Sequence, residues 1–532
     1  MLKRILKSLR NVIQKVFLSK SFFYVLFVIS LILLFLYNYI FQNFSNITLE
    51  QLLYSLKTSK GTDLTVVLNG FIYIFARILI IFILLMALLV FCHKKMKTRV
   101  IARITIRNKS FEFSLYPFTI FFINVVVFIF FIGTLIFLFI KLDLFSYFQD
   151  NTSTFIEDNY VDASKVSITA PEEKQNLVYI FVESLESSFV TVDNGGAFKR
   201  KVIPNLEKMA LENINFSQTD KIGGGAAPYG THWTIAGMVS QTAGVPLKLP
   251  LRDSNTYFGY NSFLPGVYSL GDVLKDNGYK NYLMLGSPSY FGGRADYFKL
   301  HGDYEIYDYD YAKDKKWIEN DYNVWWGFED KKLFNFAKKE LTRISENDKP
   351  FNFTLLTADT HFTGGYVDET CDEVFAEHYL NSYHCSDSEI ADFINWLKEQ
   401  DFYKNTTVII TGDHFTMQRD ILDMYDIDNP ENYQRSVYNV FFNSKTEAET
   451  YKNRNFNSFD IYPTTLAALG FTIEGDKLGL GTNLFSSKKT LTEINGYNYI
   501  NKEIQKNSEF YNEKLLGSSY KDMLLDKTKA KE

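Results

Sequence analysis

Apolar residues fall along this chain in two regimes. Up to about residue 140 they come in long unbroken runs, and from about residue 174 in short runs separated by amphipathic stretches. Residues 21–41, 66–92 and 116–140 are each close to the ~20 residues that an α-helix needs to cross a hydrocarbon core, and they predict three membrane spans. Beyond residue 174 the period changes. "NLVYIFVES", "PFNFTLLTAD", "TVIITGD" and "SVYNVFFNS" read as buried strands, whereas "IPNLEKMALEN" and "EIADFINWLKEQ" repeat their apolar positions with helical spacing. "SLGDVLKDNGYKNYLML" reads as a helix followed by a strand. This alternation predicts a doubly wound, mainly parallel α/β sheet with helices on both faces. The expected organisation is a membrane segment over 1–140, a polar-aromatic connector over 141–173, an α/β domain over 174–516 and a frayed tail over 517–532.

Charge orients these segments. Lys3, Arg4, Lys7, Arg10, Lys15 and Lys20 precede the first run, and Lys94, Lys95, Lys97, Arg99, Arg103, Arg107 and Lys109 lie between the second and third. The intervening loop carries only Lys57 and Lys60 against Glu50 and Asp63. The positive-inside rule then places the N-terminus in the cytoplasm and the α/β domain outside, as in a multi-pass membrane protein. The first run is too long for a signal-peptide core and lacks a small-residue cleavage site, so it reads as a retained anchor. Leu2, Ile5, Leu6, Leu9, Val12, Ile13, Val16 and Phe17 share one helical face opposite basic residues. That pattern suits a helix on an anionic leaflet, or a plain basic tail that sets topology. Arg77 interrupts the second run and either snorkels to the interface or meets a lipid phosphate. A net charge of -5 and a pI of about 5.9 argue against a nucleic-acid partner. Cys92 sits at the cytoplasmic end of a span. Outside the membrane, Cys371 and Cys385 are expected to form a disulfide closing a short loop; two separate buried thiols are the alternative.

Candidate chemistry sits at the ends of two strands. One ends in Glu183 and another in Asp413 and His414. In a doubly wound sheet, ligands bind outside the carboxyl edge, and two carboxylates with an imidazole suit a divalent cation. A third element, "GGGAAPYGTHWTIAGM", runs glycine-rich backbone into Thr231. Thr231 could simply cap the helix that follows, with Gly223 to Gly225 a loose turn. Alternatively, a hydroxyl at a helix N-terminus faces N–H groups and a dipole that favour phosphate, and a metal contact makes it a nucleophile. Asp460 reads as the cap of "IYPTTLAALG", and His301, His378 and His384 fit no ligand spacing.

Together these pieces resemble the phosphoglycerol transferase and lipoteichoic acid synthase branch of the alkaline phosphatase/sulfatase superfamily. The resemblance is carried by Glu183 of "VESLE", Thr231 of "GTHWTIAGMVSQTAGVPL", Asp413 and His414 of "TGDHF", and by "FGGRADYFKLHGDYEIYD", "LLTADTHFTGGY" and "DIYPTTLAALG". It covers roughly residues 174–486 and is closest to the phosphoglycerol transferases that decorate periplasmic glucans. The resemblance implies one divalent cation, commonly manganese, with magnesium or zinc as alternatives, held by Glu183, Thr231, Asp413 and His414. It also implies that Thr231 attacks the phosphorus of phosphatidylglycerol and releases diacylglycerol. A hydroxyl of a glycan or of a growing glycerophosphate chain then takes the phosphoglycerol. His361 resembles the family's substrate histidine and could protonate a leaving oxygen; Arg294 resembles its phosphate-pairing cation. Ordinary surface roles are the alternatives for both. Relatives often have four or five spans where this chain shows three. The stretch "GTHWT" lacks the C/S-x-P-S-R signature, which disfavours a sulfatase. The rival readings are a phosphoethanolamine transferase acting on lipid A or glycan, and a non-catalytic membrane protein that keeps the fold.

Overall fold

The computed structural model describes residues 20–43, 68, 70–84, 100–106, 109–142, 144, 151–248, 263–418 and 420–517. Two compact units divide near residue 149. In the first, helices over Lys20–Asn43 and Leu115–Lys141 contain the segments Phe22–Gln42 and Phe121–Lys141, each long and apolar enough to cross a membrane. The helices meet through aromatic rings, with Phe27 against Phe130 and Tyr37 against Phe137 at centroid distances of 5.8 and 5.2 Å. Their outer faces leave Phe122, Ile129 and Ile140 62%, 63% and 67% exposed, a surface suited to lipid rather than water.

The second expected span differs. It is described only in part: a helix covers Gly70–Leu84, and the rest of 66–92 apart from Leu68 lies outside the described residues. Among the described residues, two helices are long and apolar enough to cross a membrane. On this shorter helix the Tyr73 hydroxyl accepts from Asn38 Nδ2 (2.7 Å) and donates to Gln42 Oε1 (2.8 Å). The Arg77 guanidinium lies 3.3 Å over the Tyr73 ring, so its charge rests on its own helix. The basic loop before the last helix forms an antiparallel hairpin, Val100–Ile106 with Lys109–Ser114. The amphipathic stretch 2–17 and the tail from 518 lie outside the described residues.

The second unit is built on seven strands: β1 (Asn176–Val182), β2 (Gly224–Gly225), β3 (Lys280–Leu285), β4 (Glu305–Tyr307), β5 (Phe351–Leu356), β6 (Thr406–Gly412) and β7 (Val437–Phe442). Their order across the sheet is β2-β7-β6-β1-β5-β3-β4. The strands from β6 to β4 are parallel, whereas β7 pairs antiparallel with both β6 and β2, so the sheet is mixed. All residues of β1 and β6 are buried, as befits strands covered on both faces.

The two-residue pleat sorts β1 into two cores. Leu177, Tyr179 and Phe181 join α2 (Thr234–Ala243), α3 (Leu270–Asp276) and α6 (Ile461–Ala468). Val178, Ile180 and Val182 face α1 (Pro204–Glu212), α4 (Asp330–Ser345) and α5 (His378–Lys398). Residues 151–173 belong to this unit too. Phe155 and Ile156 are buried in its core, and Ile168–Thr169 pairs with Thr472–Ile473.

The topology places the site. From β1 the chain visits β2 at one edge, crosses to β3 and β4 at the other, returns to β5 on one flank of β1, then crosses to β6 on the other. The carboxyl ends of β1 and β6 are thereby neighbours at a switch point, where open α/β sheets leave a crevice.

Candidate metal centre

Parallel register pairs Val182 with Gly412, so Glu183 and Asp413 leave the sheet at the same level. Immediately afterwards Ser184 adopts a left-handed conformation (φ 56°). Its N–H donates to Asp413 Oδ1 (2.7 Å) and its hydroxyl to Glu183 Oε1 (2.7 Å). Asp413 Oδ1 also accepts from the backbone N–H of His414 (2.8 Å). His414 Nδ1 donates to the Phe415 carbonyl (2.7 Å), which fixes the tautomer and turns the Nε2 lone pair inward. That nitrogen lies 3.3 Å from Glu183 Oε1 and 3.4 Å from Asp413 Oδ2.

All three residues are buried, and their ligand atoms lie within 4.8 Å of one another. Asp413 Oδ2 and His414 Nε2 have no hydrogen-bond partner. Buried polar atoms are rarely left so, because each costs about 1–3 kcal/mol. Burial pushes the Asp413 carboxyl up to about 8, and the Glu183 charge adds to it. Burial works the same way on Glu183, but the positive potential of His414 and His361 holds it below the usual carboxylate range. Burial would lower His414, yet the two carboxylates raise it to about 9. Two acids and one imidazole converging with unsatisfied atoms in a dry site fit a divalent cation.

The other expected residues take distinct places. Thr231 is buried, and its hydroxyl donates to the Pro228 carbonyl (2.7 Å) rather than to any of the three ligand side chains. It is not the helix cap: α2 begins at Thr234 with extended Trp233 before it. Thr234, which the sequence reading passed over, donates to Glu183 Oε2 (3.3 Å). Gly223 to Gly225 are no loose turn either. Gly224 and Gly225 form edge strand β2, where a Cβ on Gly224 would lie 1.7 Å from the Val437 carbonyl oxygen.

His361 lies in the loop after β5, its ring against Trp326 (4.7 Å) and Phe362 (4.8 Å). Burial lowers its pKa, the Glu183 charge opposes this, and the His414 and Arg294 charges add to the lowering; the ring is thus within electrostatic reach of all three. Arg294 is only 6% exposed, and its guanidinium donates to the carbonyls of Phe291 and Pro288, both at 2.9 Å. Neither is an ordinary surface residue. His301 is structural, bonded to the Phe263 carbonyl and to Asp272. Asp460 precedes α6, but its carboxylate accepts from the N–H groups of Asn457 (2.9 Å) and Thr482 (2.7 Å) instead of capping that helix.

A bracing shell completes the site. Fully buried Glu186, the second acid of "VESLE", accepts from the Thr416 N–H (2.8 Å) and from Arg435, which also donates to the Thr416 carbonyl (2.8 Å). This buried ion pair clamps the segment after His414, and its only sequence signal was a second Glu three residues beyond Glu183. From α5, the Tyr383 hydroxyl donates to the Ser184 carbonyl (2.8 Å) and the Tyr379 hydroxyl to the Thr360 carbonyl (3.1 Å). A disulfide joins Cys385 of α5 to Cys371, with Cα atoms 5.6 Å apart, tying the loop that carries His361 to this helix.

Beside that loop lies an acid pair with a stability consequence. Burial raises Asp330 to about 7 and Glu389 to about 8, with neighbouring carboxylates adding to both. Each folded value lies above the unfolded one, so the folded state holds protons that the unfolded chain has lost. Stability is then fully present at acidic pH and declines as pH rises through about 7–8. The melting temperature of the full chain is expected to fall by several degrees between about pH 5 and about pH 8, and Glu389→Gln to lessen that fall. A melting temperature flat across this range, or one rising with pH, would contradict it.

The sulfatase family model matches residues 175–471. Phosphoglycerol transferase I of Salmonella choleraesuis (strain SC-B67) is 31% identical over 335 residues, covering 61% of this chain and 41% of the relative. The protein of the same name from Salmonella typhi matches to the same extent. The chain thus matches less than half the length of these curated relatives. Among solved structures, the lipoteichoic acid synthase LtaP from Listeria monocytogenes superposes with a TM-score of 0.47 at 17% identity, covering 63% of this chain and 81% of that one.

Proposed function

The chain belongs to the sulfatase family, and from that premise we propose that it is a membrane-anchored transferase moving phosphoglycerol from phosphatidylglycerol to a hydroxyl of a cell-envelope glycan. The observation that carries this reading is the buried cluster of Glu183, Asp413 and His414, whose unsatisfied atoms converge at the switch point of the sheet. The name shared by the 31%-identical relatives supports phosphoglycerol as the transferred group. The two long apolar helices support a membrane anchor, and the disulfide supports an α/β unit outside the cytoplasm; with basic residues preceding both helices, the positive-inside rule asks for a further crossing by 66–92 between them.

In this reading Glu183, Asp413 and His414 hold a divalent cation, manganese by the family resemblance, with Thr231 completing the set. When bound, the cation neutralises phosphate charge and acidifies a hydroxyl in contact with it. Thr231 turns from the Pro228 carbonyl, and its Oγ forms a bond to phosphorus while the bond to the diacylglycerol oxygen breaks. The threonine proton is given up, and the departing oxygen takes one. His361, kept mainly neutral by burial, carries protons at this edge of the site. Arg294 pairs with a phosphate oxygen. The acceptor hydroxyl then attacks phosphorus, loses its proton and returns Thr231 to its free hydroxyl. Such chemistry asks mainly for positioning and charge neutralisation, which a braced, buried cluster supplies.

The test is donor choice. The purified chain, incubated with vesicles of phosphatidylglycerol or of phosphatidylethanolamine, is expected to release diacylglycerol from the first, with manganese present and not after chelation. Release from phosphatidylethanolamine alone would replace the head group in this reading. Release from neither, with metal bound, would favour a non-catalytic protein.

A further inference from the structure

A cavity of about 250 Å³ opens beside β2 and the start of β7, closed on its other side by Asn455, Phe456, Thr492, Gly496 and Tyr497. Two of its walls are shared with the metal centre. Arg435 faces the cavity and also grips Glu186 and Thr416, two residues beyond His414. Tyr497 lines it and donates to the Ala227 carbonyl (2.9 Å), the same oxygen that His232 Nε2 meets at 3.0 Å, next to Thr231. The cavity therefore backs onto the Thr231 loop and onto the clamp behind His414.

Its chemistry is neutral and rich in hydrogen bonds. Among the described residues no acidic side chain lines it, and the one cation that does, Arg435, is neutralised by Glu186. An anionic ligand would find no free positive charge, and a cationic one no carboxylate. Gln434 and Asn455 line it and are exposed, each offering amide donors and an acceptor, and Thr492 adds a hydroxyl that accepts from Asn457 (2.9 Å) and keeps its own proton to donate. The Tyr497 ring supplies an apolar face. Amides around an aromatic ring match vicinal hydroxyls on a sugar with an apolar C–H face. The volume lies just below the ~300–1,000 Å³ of pockets that enclose drug-sized ligands, room for one sugar residue and not for several.

We propose that this cavity is an acceptor subsite that takes one neutral hexose residue of the glycan receiving the phosphoglycerol. The inference rests on the transferase reading above for the word acceptor, but the binding itself does not. The probe is methyl β-D-glucoside, added to the full-length chain in detergent and followed by saturation-transfer NMR, which needs no turnover. Wild type is expected to transfer saturation to the sugar protons. Asn455→Trp, which fills the opening from an exposed position, is expected to abolish that signal. With the glucoside as acceptor, Gln434→Ala is expected to raise its KM about three- to tenfold, the worth of one lost hydrogen bond, with little change in kcat.

Sugar signals untouched by Asn455→Trp, or absent from wild type, would overturn the proposal. Displacement of the glucoside from the cavity by glycerol phosphate would overturn its neutral character. Failure of the transferase reading has a separate signature: saturation transfer that depends on Asn455, without diacylglycerol release from any donor.

Discussion

Asp413→Asn is expected to leave a folded protein that neither retains a divalent cation nor cleaves its lipid donor. The two oxygens of this carboxylate do different things. Oδ1 accepts from the N–H groups of Ser184 and His414, and an asparagine carbonyl can replace it. Oδ2 has no partner in the fold and faces His414 Nε2 at 3.4 Å; an amide nitrogen there cannot ligate a cation. The change also relieves an electrostatic conflict in the metal-free protein. Burial and Glu183 raise the Asp413 carboxyl to about 8, so its contribution to apo stability declines as pH rises from its unfolded value through that range. Apo Asp413→Asn should therefore melt no lower than apo wild type at neutral pH. Metal per chain should drop from about one to near zero, and diacylglycerol release by at least ~10³-fold, the scale of losing several kcal/mol of charge stabilisation. Asp413→Ala makes the contrast: it leaves two buried N–H groups unpaired, at about 1–3 kcal/mol each, and should lose both metal and stability. Metal retained in Asp413→Asn at wild-type stoichiometry would contradict this assignment.

Gly237→Ala is expected to destabilise the α/β unit although it lies inside a helix. Alanine is ordinarily favoured there over glycine by roughly 0.5–1 kcal/mol. Here α2 runs against the turn that bears the metal ligands, and a Cβ on Gly237 would lie 2.0 Å from the Asp413 carbonyl oxygen and 2.7 Å from its carbon. Both are backbone atoms at the end of a central strand and cannot swing aside. The contact is reinforced one turn later, where Gln241 Nε2 donates to the carbonyls of Gly412 (2.8 Å) and Asp413 (3.3 Å). Either the helix or the strand end must move, at about 1–3 kcal/mol for overpacking, and Asp413 moves with it. The expected outcome is a melting temperature several degrees lower together with weaker metal retention. A variant as stable as wild type and equally loaded with metal would show that the helix and the ligand turn are not in this contact.

The central strands and their terminal acids were legible in the sequence because burial on both faces demands continuous β-branched and aromatic runs. "NLVYIFVE" and "TVIITGDH" each break from such a run into acids at one point. The parallel register of β1 and β6 then follows from the alternation of strands and helices. Other features carried no readable signal. Strand β2 consists of two glycines, whose place is set by the closeness of the Val437 carbonyl and not by any apolar period. An apolar run has no direction, so the antiparallel course of β7 was invisible. Residues 151–173 looked polar, yet Phe155 and Ile156 suffice to pin them to the core. Around Thr231 no local signal separates a capping threonine from one placed ahead of the helix, which starts three residues later with a second threonine on Glu183. The role of Glu186 depends on Arg435, distant in sequence, and no local spacing announces such a pair. In the membrane segment, apolar composition set the count of spans at three. The first and third runs are helical over the length of a bilayer crossing, and the second is described as a helix over Gly70–Leu84.

The central claim, that Thr231 carries the transferred group, is tested most directly by trapping it. The purified chain, loaded with manganese, is incubated with phosphatidylglycerol and no acceptor, quenched in acid and digested for peptide mass spectrometry. The expected result is a glycerophosphoryl adduct on the peptide spanning Thr231, localised to that hydroxyl and removed when a sugar acceptor is added. Diacylglycerol release with the adduct on Thr234 or on another residue, or with no adduct at any time, would contradict the claim.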